Sequence, residues 1–384
     1  MKIGVYLINI HHTFLNDFIR ILNPEKNEVH LFVSEKIYKL LIELSPDING
    51  TTIPYIYNGK GIIAYNKEIT KQSKNLDCIV ISPNSGRKGI FSHLFLRPKC
   101  PYLFIDVLFG DVFLNFYGFF KWDSVSNFIY KWIYKRMMHK SAGLIYSSVP
   151  IMNMITYYIK KPTIFFPFNF FHSETYLESN SIPRTGKTVF TITGTLEQRR
   201  KDMSCLFEAL DLLLKDTDFN KDQFQIVILG GLLSDKNQFG KDCISKAKKY
   251  NIFFGKEVII TFDTIFIDEP VYRKWISVTD VILNAINMEQ YKYGKFCSGM
   301  SESISYCLPG IYPTEYRILD ELSSSSLKFS SGYELAELIK LLTNNKNYLE
   351  ELSVNALNNS QSFSIVNYRK KIFSFIEETC LSNK

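Results

Sequence analysis

Eight consecutive residues in the middle of the chain, Gly194-Thr195-Leu196-Glu197-Gln198-Arg199-Arg200-Lys201, combine the ingredients of an anion site. A strand-forming run precedes them, and a helical pattern with Leu206, Ala209, Leu210 and Leu213 on one face follows. Glycine lets the backbone turn closely, the first amides of a helix lack intrahelical partners, and guanidinium forks match phosphate oxygens. A pyrophosphate fits this combination. Three adjacent cations alone are equally a solvated surface run. Their place between a strand's carboxyl end and a helix start favours the ligand, because open α/β sheets bind ligands there.

A second constellation runs from Tyr293 to Gly310, a polar glycine loop entering a short helix and then a buried strand. It contains Gly294, Lys295, Ser298, Gly299, Met300 and Glu302, and ends in Cys307-Leu308-Pro309-Gly310. This stretch resembles the donor loop of the glycogen-synthase-like group of GT-B glycosyltransferases, where a glycine loop leads into a glutamate-headed helix. The similarity extends from Thr188 to about Glu377, taking in Gln225 to Gly231 and the Tyr272 to Ala285 helix-strand pair.

The resemblance implies an α/β GT-B fold: two Rossmann-like domains with parallel sheets facing across a cleft, and a C-terminal helix packing back toward the first domain. It implies transfer of a sugar from a UDP- or GDP-sugar to a glycan or lipid-linked saccharide in bacterial surface-polysaccharide synthesis, with retention of configuration and no metal. Carried over by position, Glu302 holds the ribose hydroxyls, which suits a carboxylate that accepts two hydrogen bonds. Ser298, Gly299 and Met300 supply donors near the diphosphate. Phe262, Asp263 and Thr264 lie beside the nucleobase.

The sequence departs from the group's pattern in four places. A second glutamate expected eight positions before Glu302 is Gly294, and Glu289 is the nearby substitute. The arginine expected after the turn glycine is Thr195, and the lysine expected six residues after that glycine is Arg200. Arg199, Lys201 and Lys295 are the cations that can restore the charge. In the first domain the group's His-Asp pair after the fourth strand is reduced to Asp106, which with Asp111 is a candidate for orienting or deprotonating the acceptor. An aspartate there is equally a turn or cap residue. His11 and His12, after the first strand, are expected on the acceptor side. Two other readings of the same architecture are a nucleotide-sugar 2-epimerase and a non-catalytic GT-B-like partner subunit.

These residues need two α/β frames to hold them. Short apolar runs alternate with helical-period stretches along the whole chain, the pattern of βαβ units. The expected strands of the first sheet are Lys2 to Ile8, Glu28 to Val33, Leu76 to Ile81, Tyr102 to Ile105, Gly143 to Ser147 and Thr163 to Phe166. Those of the second are Thr188 to Thr193, Gln225 to Leu229, Glu257 to Phe262, Val281 to Ala285 and Gly310 to Tyr312. Helices are expected at Glu334 to Leu342, Leu349 to Asn358 and Val366 to Glu378. The boundaries are an acceptor-side domain over 1–168, a linker over 169–187, a donor domain over 188–365 and a crossover helix over 366–384.

Composition narrows the classes. The 384 residues exceed what one core usually fills. With 46% hydrophobic and 22% charged residues the chain is globular rather than disordered. A net charge of +7 without a dense basic block argues against nucleic acid. Seven cysteines without CxxC spacing, and six histidines without ligand spacing, point to a reducing cytoplasm and no structural metal. The apolar run before His11 is too short for a signal sequence or membrane span. From Phe113 to Lys140 aromatics interleave with Lys131, Lys135, Arg136, His139 and Lys140. That stretch reads as an interfacial helix on a membrane or, equally, as a core helix burying Phe128, Ile129, Trp132, Ile133 and Met137.

Overall fold

Strands covered on both faces read as unbroken apolar runs, because no side of the pleat meets water. The runs IGVYL, CIVI and IVIL are of this kind, TVFTIT is buried throughout with its threonines inside, and each belongs to a central strand of a parallel sheet. The computed structural model describes residues 1–8, 12–23, 25–59, 61–82, 91–106, 122–167, 169–172, 186–291 and 295–382.

The chain divides into two compact units, Met1–Asn169 together with Ile365–Lys384, and Phe170–Ser364. The first holds a seven-stranded sheet of β1 (Lys2–Leu7), β2 (Glu28–Ser34), β3 (Thr52–Tyr57), β4 (Cys78–Ile81), β5 (Tyr102–Asp106), β6 (Gly143–Tyr146) and β7 (Thr163–Phe165). Its order is β3-β2-β1-β4-β5-β6-β7, all parallel. Helices α1 (His12–Leu22), α2 (Glu35–Leu44), α3 (Ile62–Gln72), α4 (Trp122–Lys140) and α5 (Val149–Tyr158) connect the strands. Two of them start where expected physically: Ser34 and Ser148 hydroxyls accept from the Ile37 and Ile151 amides and cap α2 and α5.

The second unit holds six strands, β8 (Thr188–Thr193), β9 (Phe224–Leu229), β10 (Ile259–Thr261), β11 (Val281–Leu283), β12 (Gly310–Pro313) and β13 (Ser326–Phe329), in the order β10-β9-β8-β11-β12-β13. Its helices are α6 (Ser204–Lys215), α7 (Gln238–Phe254), α8 (Glu269–Ser277), α9 (Ser298–Tyr306), α10 (Gly332–Asn344) and α11 (Lys346–Gln361). Successive residues of β8 feed opposite faces: Phe190 and Ile192 join the core under α6, α7 and α10, while Val189 joins Ile276 and Leu308 on the other side. The strand order reverses between β8 and β11, so the loops leaving those two strands diverge and leave space at the sheet's carboxyl edge.

Helix α12 (Ile365–Ile376) belongs to the first unit. The Arg369 guanidinium donates to the Arg20 and Ile21 carbonyls at 2.8 and 3.2 Å, satisfying the open C-terminal end of α1. Phe375 packs where a side chain on Gly143 would stand, 2.7 Å from that glycine's absent Cβ.

Two strands exceed the sequence expectation. β3 contains Pro54 and, after the buried Thr52, has only exposed or half-buried residues, as befits an edge strand that tolerates proline. β13 emerges directly from the serine run Ser323 to Ser326, which reads as loop until its pairing with β12 is seen. Both edges are half-solvated, so neither carries the continuous apolar run that marks the central strands.

Candidate functional site

The carboxyl ends of β8 and β9 are joined by their loops. Gly194 follows β8 with φ +86°, a backbone conformation that glycine adopts without strain. The Gly194 carbonyl lies against Gly230, where a Cβ has no room. The Leu196 amide then donates to the Gly231 carbonyl at 2.9 Å. The chain turns once more at Glu197, whose carbonyl accepts from the amides of both Arg200 and Lys201 at 2.8 Å. It is clamped onto the loop after β11 by Asp202 N–H to Ala285 (3.2 Å) and Asn287 N–H to Arg200 (3.0 Å).

This turn sorts its three cations. Arg199 and Arg200 stay exposed beside the Glu197 carboxylate, at 3.9 and 3.1 Å. Lys201 is only 6% exposed. Its ammonium donates to the Thr193 carbonyl at 2.5 Å, beneath the glycine turn. Burial pushes its pKa down to about 8; the nearby Cys297 opposes the shift and Arg200 adds to it.

Helix α9 completes the turn from the other side of the switch point. Gly299 packs so tightly on Asn284 that a Cβ would overlap the Asn284 carboxamide oxygen. Asn284 is itself fixed, its amide group donating to the Ile311 carbonyl at 3.2 Å. The Tyr316 hydroxyl anchors the approach to α9, donating to Lys295 O at 2.9 Å and accepting from Cys297 N at 3.2 Å. Ser298, exposed at the head of α9, brings its hydroxyl 2.6 Å from the position a Gly194 Cβ would take, with the Lys201 ammonium 3.8 Å from that point. Gly194, Lys201, Ser298 and Gly299 thus converge, with the first amides of α9 beside them. The Cys297 thiol donates to the Asn284 carboxamide oxygen at 3.5 Å, and buried Met300 follows Ser298 and Gly299 in the first turn of α9.

The helix directly after the cation run, expected from sequence to offer its first amides, has one of them taken within the chain. The Asp202 carboxylate accepts from Ser204 N at 3.0 Å and Ser204 Oγ at 2.6 Å, occupying the head of α6. The helix whose head meets the Gly194 turn is α9, which lies more than ninety residues further along the chain.

Glu302 sits one turn into α9, half-buried, and its Oε1 accepts from the Tyr272 hydroxyl of α8 at 2.6 Å. Burial pushes the Glu302 pKa up to about 7; the Tyr272 bond opposes this and Glu269 reinforces it. Tyr272 is raised well above its ordinary value by burial and by Glu302. Glu302 therefore has a tertiary partner and is not a bare helix-end carboxylate. Tyr272, Asn284, Cys297 and Tyr316 were not singled out from sequence; a polar residue immediately after a buried strand, as at Asn284, is the one available signal.

The remaining candidates are spread around this centre. Phe262 leans edge-on against Trp275 at 6.5 Å, Asp263 is exposed, and the Thr264 carbonyl accepts from Leu232 N at 2.7 Å. That loop is thereby tied to the end of β9. Thr195 is half-buried in the Gly194 turn, and Lys295 is half-buried on the approach to α9. Glu289 is exposed on a single helical turn, Met288–Tyr291, with its amide on the Asn287 side chain at 3.0 Å. Asp106 ends β5 opposite Tyr146, but its side chain lies outside the described residues, as do the His12 side chain and all of His11, Asp111 and Gly294. The stretch 113–121 is likewise outside them. Within α4 the two sequence readings divide: Ile133 and Met137 are buried, whereas Phe128 is 60% and Trp132 50% exposed. No described helix is long and apolar enough to cross a membrane.

No protein-family model matches the sequence, and no curated protein does. Solved structures do match the fold. Anabaena HepE in complex with UDP and glucose superposes with a TM-score of 0.66 at 13% identity, over 98% of this chain and 99% of that one. The UDP-forming α,α-trehalose-phosphate synthase of Burkholderia vietnamiensis gives 0.64 at 10% identity, over 98% and 100%. The N-terminal domain of Candida albicans trehalose-6-phosphate phosphatase gives 0.64 at 9%, over 98% and 96%. At these identities the similarity establishes the fold, which is the paired Rossmann-like GT-B fold implied by the donor-loop resemblance.

Proposed function

We propose that the chain is a glycosyltransferase whose second unit binds a nucleoside-diphosphate sugar and transfers the sugar to an acceptor. The observation that carries this is the convergence of the Gly194 turn, the Lys201 ammonium and the Ser298 head of α9 at the switch point. That arrangement offers a diphosphate two helix amides, a hydroxyl and a buried cation, and Glu302 stands one turn deeper at the reach of a ribose. Support for uridine comes from HepE, solved with UDP and glucose, and from synthases described as UDP-forming. GDP is the alternative base.

In the transfer, the bond from the anomeric carbon to the diphosphate oxygen breaks and the acceptor oxygen takes its place. Negative charge grows on the departing diphosphate. Lys201, with the amides of Ser298 and Gly299, would meet that charge from a fixed frame, and the exposed Arg199 and Arg200 and the half-buried Lys295 would add further positive charge. The acceptor hydroxyl loses its proton, and Asp106 is the candidate to take or orient it; Glu289 is the candidate beside the transferred sugar. We assign the acceptor to the glycan or lipid-linked saccharide class, within bacterial surface-polysaccharide synthesis and with retention of configuration, on the donor-loop resemblance.

The test is thermal stabilisation by UDP, GDP, ADP, TDP and CMP of the wild type, Lys201→Met and Glu302→Ala, since a ligand that binds the folded state raises its stability. One nucleoside diphosphate stabilising the wild type and neither variant supports the donor site. Stabilisation by none of them overturns it and leaves the non-catalytic partner reading. Formation of an epimerised nucleotide sugar without acceptor identifies the 2-epimerase instead.

A further inference from the structure

A groove of about 690 Å³ opens on the first unit, walled by residues between 93 and 102, the last turns of α4 with the two residues after it, Lys161, and Thr379 with Cys380. Its surfaces differ in chemistry. Leu94, Leu96, Ile133 and Met137 form an apolar floor, while Arg97, Arg136, Lys140 and Lys161 stand around it, and no carboxylate lines it. Among the described residues none of these four cations has an acidic partner. His93, buried at the floor, has its pKa pushed down to about 3 by burial and so adds no charge.

The sequence accounts for the one-sided charge. No Asp or Glu occurs from Cys78 to Ile105, or from Ser124 to Ser173, a span that carries Lys131, Lys135, Arg136, Lys140, Lys160 and Lys161. The adjoining Glu377 and Glu378 are exposed and outside the lining. Cations crowded without carboxylates repel one another, a cost that an anionic partner removes.

The surroundings select the kind of anion. Phe128, Trp132, Arg136 and Lys140 follow at four-residue spacing and so share one stripe of α4. The stripe begins with two exposed aromatics and ends at two cations of the groove, with the Arg136 guanidinium 5.5 Å over the Trp132 ring. A soluble anion gains nothing from the aromatic half. A lipid uses both halves, phosphate on the cations and glycerol and acyl carbons beside the aromatics.

We infer that this groove holds the phosphate headgroup of an anionic phospholipid, with Phe128 and Trp132 entering the bilayer interface, so that the first unit docks on an anionic membrane surface. The inference stands independently of the donor site, since every residue it uses lies in the first unit.

Co-sedimentation of the full chain with phosphatidylcholine vesicles, with and without phosphatidylglycerol, tests it. Binding is expected only with phosphatidylglycerol, to weaken about fivefold for each of Arg136→Gln and Lys140→Gln, and to weaken severalfold in Trp132→Ser. Equal binding to both vesicles, or unchanged binding in the glutamine variants, overturns the inference. So does competition by soluble glycerol phosphate at millimolar concentration together with no effect of Trp132→Ser, which would mark a site for a free anion. Wild-type binding that persists at high salt also overturns it, and that arm needs no variant to fold.

Discussion

The two units handle positive charge in opposite ways. In the second, the cation nearest the candidate site is sunk beneath a glycine turn, one proton donor aimed by one carbonyl. In the first, four cations ring an open groove with no acidic partner among the described residues. A buried cation is desolvated in advance and suits a small ligand in one orientation, because its partner need not strip it of water. Exposed cations keep their hydration and suit a partner that is itself fluid. Position, and not the number of charges, separates the two.

The contrast breaks most completely at Gly194. Gly194→Val puts a β-branched residue at φ +86° and a Cβ against Ser298. It is expected to cost about 2 to 4 kcal/mol of stability and to abolish nucleotide stabilisation, read from urea unfolding with and without the nucleotide. Retained stabilisation would show that the turn is not where the diphosphate sits.

Lys201→Met tests the buried cation itself. Nucleoside-diphosphate affinity, measured by calorimetry, should fall about tenfold to a hundredfold, the usual loss for a hydrogen bond to a charged group. In the wild type the affinity should also fall as pH rises through about 8, where the free protein's Lys201 loses its proton. The variant should lack that step, and a step that survives belongs to another group.

Glu302 gives a stability effect of the opposite sense to an ordinary carboxylate. Its pKa is raised from 4.5 to about 7, so between those values the folded state holds a proton that the unfolded chain has released. Stability therefore falls as pH rises across that window, by on the order of 2 kcal/mol. Glu302→Gln should flatten this component; unfolding midpoints measured from pH 4 to pH 8 would show it, and an unchanged slope would refute the assignment.

The smallest effect belongs to the exposed pair. Arg199→Ala should weaken nucleotide binding by no more than about fivefold, since an exposed ion is worth under about 1 kcal/mol. That small contribution should fade at high salt. A larger loss, persisting in salt, would mean that Arg199 abandons Glu197 when the ligand arrives.

Sequence made the central strands legible because each is covered on both faces, and β8 was read to its terminal residues. The edges β3 and β13 escaped, one interrupted by Pro54 and the other sharing a serine with the preceding loop. In the candidate site, glycines at forced turns and the Lys201 charge could be picked out along the chain. Which of three adjacent cations goes inward could not, since that depends on the Glu197 turn and the clamp from Asn287. The Tyr272 to Glu302 bond was equally hidden, because it joins two helices whose adjacency only the sheet order decides.

The route of α12 bears on how the protein is made. The second unit is one uninterrupted stretch, Phe170–Ser364, inserted within the first. On a ribosome it can be finished while the first unit still lacks α12, whose Tyr368, Ile372, Phe375 and Ile376 are buried. Until those residues emerge, the C-terminal end of α1 and the Gly143 region stay uncovered, although their strands were synthesised first. The earliest part of the chain to be translated is thus the last to close, and the wait is set by translation of everything between.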